Sequence, residues 1–125
     1  MFGDQGETSS AAASAACVDA TKFAEEMSAL DTWRAEVNSA VEANDAQRVE
    51  GDLRTIGGIL DSMALIAADD PAVAGRIRES AAHARAAADA MAGGRFVAAQ
   101  GYTFALNADW KAVAQAADAS TVPAC

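Results

Sequence analysis

Few residues in this sequence have the type and spacing that catalysis or metal binding requires. There is one histidine, His83, and Glu79 lies four residues before it, on the same face of a helix. A Ser-His-Asp or Cys-His site would have to be built on this histidine. A di-iron carboxylate bundle needs two Glu-x-x-His motifs and two further glutamates. We therefore predict that the chain is not an enzyme and binds no cofactor or metal ion.

The acidic pair Asp69–Asp70 directly precedes Pro71. A carboxylate satisfies the free N–H groups at the start of a helix, and proline is tolerated at the first helical position. We therefore predict that Asp70 caps a helix rather than binding a cation. Asn44, with Gln47 three residues later, predicts a capping box at an earlier helix start.

Apolar residues recur at alternating intervals of three and four in four segments, as in amphipathic helices. Abundant alanine and only two prolines favour helix throughout. In the fourth segment the stripe is Tyr102, Leu106, Trp110, Val113 and Ala117, which Phe96 and Phe104 fit less well. The predicted helices cover about residues 12–43, 45–68, 71–92 and 95–118.

Short breaks between these helices predict one domain, an all-α, antiparallel up-down-up-down four-helix bundle with a long first helix. The domain spans residues 11–125 and includes a C-terminal tail at 119–125. Residues 1–10 are polar and without periodicity, which predicts a flexible tail.

The two cysteines, Cys17 and Cys125, come together in this topology. The first helix starts at the end of the bundle where the fourth one finishes, and the tail spans up to about 3.3–3.6 Å per residue. We predict that a disulfide closes the bundle. Disulfides persist in oxidising compartments, so the predicted location is extracytoplasmic, secreted or at the cell surface, with any signal or anchor outside these residues. Two unpaired cytosolic thiols are the alternative.

The chain carries 18 acidic and 9 basic residues, for a net charge of -9. This charge disfavours binding to nucleic acid and to anionic lipid. Apolar runs are far shorter than the roughly 20 residues that span a bilayer. We therefore predict no nucleic-acid partner and no transmembrane segment.

Two functions remain compatible with the sequence. The first is an exported or surface-exposed, non-enzymatic domain that binds another macromolecule, a protein or a cell-surface polymer. The alternative is a carrier or sensor of a small apolar ligand held between the helices, since methionines and aromatics often line such sites. The candidate ligand-binding residues are Met27, Trp33, Met63, Met91, Tyr102, Phe104 and Trp110. Glycines within the helices, Gly57, Gly58 and Gly101, predict close helix approach.

Overall fold

A computed structural model describes residues 16–125 of the chain. In this range the regular structure consists of four helices packed on one another, with a single isolated β-bridge. The predicted all-α bundle is confirmed, and the predicted flexible tail at 1–10 lies outside the described residues. The helices are α1 (Ala20–Glu42), α2 (Ala46–Ile66), α3 (Pro71–Ala92) and α4 (Phe96–Ala119).

α2 and α3 run antiparallel, as the ion pairs between them demonstrate. Arg54 of α2 contacts Asp89 of α3, and further along α2 Asp61 contacts Arg85, which lies earlier in α3. Positions that advance along one helix therefore meet positions that recede along the next. α1 packs on α2, α2 on α3 and α3 on α4.

The helix starts follow local capping chemistry. Asp70 accepts a hydrogen bond from the Val73 N–H at 3.3 Å, and Pro71 is the first residue of α3, as predicted. The cap of α2 is Asp45 rather than Asn44. Asn44 instead has a φ of 53°, a left-handed conformation that asparagine tolerates well, so it serves the turn that ends α1.

The start of α1 differs from the prediction. The helix begins at Ala20 and has 23 residues, whereas the alanine-rich pattern predicts a start near residue 12. Residues 16–19 are not helical, Asp19 caps α1, and Val18 is buried in the β-bridge. Helix propensity is a weak preference, and tertiary contacts of this segment override it.

The core combines Phe23 and mostly aliphatic residues from α1 and α2 with mostly alanines from α3, and α4 contributes Val113 and Ala117. Small side chains on α3 let both neighbouring helices approach it. At Gly57 an added Cβ would stand 3.5 Å from Arg85 Cγ, so the predicted close approach is present there, whereas Gly58 faces open space. The largest fully buried side chains are Phe23, Leu53, Ile56, Leu60, Met63 and Ile77.

Two leucines of α2 provide a matched test of this core. Leu60 is fully buried, whereas Leu65 is 75% exposed. We expect Leu60→Ala to lower the free energy of unfolding by about 2–5 kcal/mol, because it removes buried methyl groups and leaves a cavity. Leu65→Ala should change it by less than about 0.5 kcal/mol. Urea denaturation followed by circular dichroism measures both, and equal effects would contradict the described core.

Candidate functional site

A covalent and hydrogen-bonded clasp joins the two ends of the domain. Cys17 and Cys125 form the predicted disulfide, with their Cα atoms 4.9 Å apart. Beside it Val18 pairs in parallel with Ala124. The Val18 N–H donates to the Pro123 carbonyl at 3.0 Å, and the Cys125 N–H donates to the Val18 carbonyl at 2.9 Å. The segments that flank α1 and α4 are thus held together through their backbones as well as their sulfur atoms.

The acidic pair before α3 belongs to the same clasp. Asp69 Oδ2 accepts a hydrogen bond from the Cys17 N–H at 3.1 Å. Asp70, besides capping α3, is buried and accepts a hydrogen bond from the Ser120 hydroxyl. That hydroxyl oxygen in turn accepts from the Val122 N–H at 3.1 Å, which stabilises the turn after α4. Capping explains only one role of Asp70. Each of the two carboxylates also binds a segment distant in sequence, Asp69 at Cys17 and Asp70 at Ser120.

His83 lies half-buried between α3 and α4. Its Nδ1 contacts Asp109 Oδ2 of α4, while Glu79, the residue considered with it from the sequence, is exposed. This contact ties α4 to α3 as a polar link at mid-helix. Among the described residues, no group of three or more His, Cys, Asp or Glu side chains is placed to hold a metal ion.

Most of the ion pairs among the described residues join two different helices rather than two residues of the same helix. Arg54 contacts Glu50 within α2 at 3.1 Å, and Asp89 of α3 at the same distance. Hydrogen bonds from the guanidinium, first to Glu50 and then to Asp89, raise the pKa of Arg54 above its usual value. Arg48 contacts Glu36 of α1 at 3.4 Å. These exposed pairs orient neighbouring helices and add little stability.

A seam separates the first and last helices. In the described part of the chain no Cα atom of α1 lies within 8 Å of a Cα atom of α4. Arg34 of α1 crosses the seam: it donates to Asn107 Oδ1 at 3.4 Å, and its Cζ lies 5.9 Å from the ring centre of Trp110. A depression here has a volume of about 10 Å³, the space of a single water molecule. It is lined by Leu30, Arg34, Ile56, Leu60, Leu106 and Trp110.

The seven candidate ligand-binding residues take three different positions. Met63 is fully buried in the core. Met27, Trp33, Met91 and Trp110 are half-buried and pack against it. Tyr102 and Phe104 are exposed, at 39% and 78%. Of the seven, only Trp110 lines the depression at the seam.

The α4 patch, formed by Phe96, Val97 and Phe104, is an exposed apolar surface. These side chains are 55%, 84% and 78% exposed, and Ala99 is the one buried residue in the first half of α4. Tyr102, which is 39% exposed, lies two residues before Phe104 and therefore on another side of the helix. Of the described helices, only α3 has Cα atoms within 8 Å of those of α4, and Arg95, at the N-cap position of α4, makes no side-chain capping bond. Phe96 and Phe104 fall off the predicted apolar stripe, and this mismatch of phase is the sequence signal for an outward-facing surface.

No family model, curated protein or solved structure matches this chain. None of the helices within residues 16–125 combines the length and the apolar character needed to cross a membrane. The α4 patch, the seam beside it and the clasp are therefore interpreted from their own physical chemistry.

The clasp predicts a redox-dependent stability. We expect the double variant Cys17→Ser/Cys125→Ser to lose about 2–5 kcal/mol of unfolding free energy, because the disulfide no longer restricts the unfolded chain. Denaturation with and without dithiothreitol measures this loss. The reductant should bring the wild-type chain to the stability of the double variant and leave the variant itself unchanged. A wild-type chain that is insensitive to reduction would contradict the role of the clasp.

A comparison of alanine variants at two capping aspartates, Asp45 and Asp70, separates the capping role of Asp70 from its role in the clasp. Asp45→Ala removes only the capping hydrogen bond that Asp45 accepts from the Arg48 N–H, and it should lower the free energy of unfolding by about 0.5–2 kcal/mol. Asp70→Ala also removes the acceptor of the Ser120 hydroxyl, so its cost should exceed that of Asp45→Ala by about 1 kcal/mol. In the Ser120→Ala background this excess should disappear in urea denaturation. Equal costs for both aspartates would contradict the second role.

Proposed function

We propose that this chain is an exported or surface-exposed, non-enzymatic domain whose α4 patch binds another protein. The observation that carries the proposal is the exposure of large apolar side chains on the first half of α4. Monomeric soluble proteins rarely expose contiguous apolar patches larger than a few hundred Å², and the largest such patch is often functional. Within the described residues, three of the six exposed large apolar side chains belong to this patch; the other three are Val41, Leu65 and Tyr102.

The charge distribution around the patch favours a protein partner. From Phe96 to Ala108 the chain carries no charged residue, although the whole chain has a net charge of -9. An uncharged apolar surface loses little solvation when a partner covers it. Nucleic acid and anionic lipid are disfavoured by the overall negative charge and would find no cationic site on this surface. An apolar surface on a partner protein fits both properties.

The compartment in this proposal is supported by the disulfide. Cys17 is half-buried and Cys125 is exposed, so the bond is open to reduction in a glutathione-containing cytosol. Its loop covers nearly the whole domain, with a sequence separation of 108 residues, so its loss would release both termini. An oxidising, extracytoplasmic environment keeps this clasp closed.

The alternative function, a carrier of a small apolar ligand, has less support. Ligand sites usually enclose about 300–1,000 Å³, whereas the depression at the seam offers about 10 Å³. Binding there would require α1 and α4 to separate and Arg34 to leave Asn107. Titration with an apolar dye, followed by Trp110 fluorescence in a Trp33→Phe variant, would detect such an opening.

The experiment for the proposed function is site-specific photocrosslinking in the native host. A photoreactive benzoylphenylalanine at Phe104 should form a covalent adduct with a protein partner, because this side chain is 78% exposed in the patch. The matched control carries the same group at Leu65, which is equally exposed on α2. Adducts at 104 and none at 65 would support the proposal.

The captured partner then permits a quantitative measurement. After purification of that partner, isothermal titration should give at least about 30-fold weaker binding for Phe104→Ala, the effect of removing an interface hot spot. Leu65→Ala should bind as the wild type does. Absence of any protein adduct at position 104, or unchanged affinity of Phe104→Ala, would overturn the proposed function.

A further inference from the structure

The C-terminal strap, residues 120–125, is the segment that the clasp holds against the end of the bundle. It follows α4 and is not helical. At its first residue the Ser120 hydroxyl donates a hydrogen bond to the buried Asp70. At its last residue Cys125 is bonded covalently to Cys17. The strap is therefore anchored by a hydrogen bond next to α4 and by a disulfide at its other end.

Between these two anchors the strap is held weakly. None of its residues is buried, and Thr121 is exposed. Val122 is half-buried and packs against the core, while backbone hydrogen bonds with Val18 join two short extended segments. An isolated pair of extended segments is at best marginally stable in water, and local opening is easiest where few apolar side chains are buried. The disulfide is therefore the interaction that keeps the strap closed.

We propose that the clasp is a redox switch: reduction of the Cys17–Cys125 disulfide releases the strap, while the four helices stay packed. The open form carries a free thiol at Cys125 and leaves the N–H and carbonyl groups of Val18 without their partners in the strap. The helices stay packed because the largest buried side chains, among them Leu60 and Ile77, belong to the helices themselves. This switch goes beyond the proposed function, since the strap follows the last residue of α4 and the α4 patch lies on its first half.

The reductant that operates this switch is a dithiol. One thiolate of the dithiol attacks the sulfur of Cys125, the more exposed of the two cysteines, and the Cys17 sulfur leaves as a thiolate and takes up a proton. The second thiolate of the dithiol then attacks the mixed disulfide, which frees the Cys125 thiol and leaves the dithiol as a disulfide. Two electrons and two protons pass from the dithiol to the two cysteines.

A monothiol is a poorer reductant for the clasp than a dithiol. It stops at the mixed disulfide on Cys125, and the freed Cys17 thiol lies close by in the same chain. An intramolecular thiol acts at a high effective concentration, so it displaces the monothiol and closes the clasp again. The second thiol of a dithiol completes the reduction before this reversal and therefore opens the strap.

Amide hydrogen exchange of the full chain, measured by NMR with and without dithiothreitol, tests the switch. In the oxidised chain the amides of Val18 and Cys125 should be protected, because both donate hydrogen bonds in the clasp. In the reduced chain these clasp amides should exchange within about 10-fold of the rate of an unstructured peptide, while the helical amides of Leu60 and Ala84 stay protected at least about 1,000-fold. Continued protection of the clasp amides after reduction would overturn the switch, and so would loss of protection in the core.

Two variants separate the disulfide from other causes of opening. Cys17→Ser/Cys125→Ser should show the open pattern of exchange both with and without dithiothreitol. Asp45→Ala removes a helix cap in the α1–α2 turn and keeps the disulfide, so its clasp amides should stay protected before reduction. Protected clasp amides in the double variant, or unprotected ones in oxidised Asp45→Ala, would contradict control of the strap by the disulfide. These measurements use the chain alone, so their failure leaves the proposed function standing.

Discussion

The clasp at the chain ends is the constraint on which the arrangement of the first and last helices depends. A closed four-helix bundle is held partly by contact between those two helices. Here no Cα atom of α1 approaches one of α4 within 8 Å, so the helices are joined by the Cys17–Cys125 disulfide, the pairing of Val18 with the tail, and Arg34. The carboxylates before α3 anchor both clasped segments to the α2–α3 turn. The segments that flank α1 and α4 are therefore joined at this end of the bundle by a disulfide and backbone hydrogen bonds, whereas farther along the two helices the link described is Arg34.

The packing of α4 explains why apolar surface remains exposed where it does. α3 is packed on both sides and reaches its neighbours through alanines, whereas α4 has one neighbouring helix. Near the clasp α4 buries Val113 and Ala117, but its first half buries only Ala99 and lacks a side-chain cap. The large side chains of that half therefore have no neighbour to cover them. Val97 and Phe104 are exposed because they lie on the side of α4 opposite its buried positions, where no described helix packs.

Much of this fold was predictable from the sequence, because it depends on local signals. The bounds of α2, α3 and α4 follow from apolar periodicity and from the Asp70–Pro71 start, and the disulfide follows from bundle topology and tail length. The start of α1 was not predictable, because the alanines before Ala20 favour helix while the bridge at Val18 holds the chain extended. Periodicity places Phe104 off the apolar stripe of α4, but it does not give the number of helices beside α4, so the extent of exposure of Phe104 required the structure.

The location of the α4 patch has a consequence for how binding and stability are related. Local opening is easiest where few apolar contacts and no caps hold a helix, and the first half of α4 meets both conditions. In the proposed complex, a partner that covers Val97 and Phe104 would supply contacts that the chain itself lacks and would stabilise the start of α4 against local opening. The clasp holds the C-terminal end of α4 in place. The helix that carries the patch is therefore positioned by the chain itself, independently of a partner.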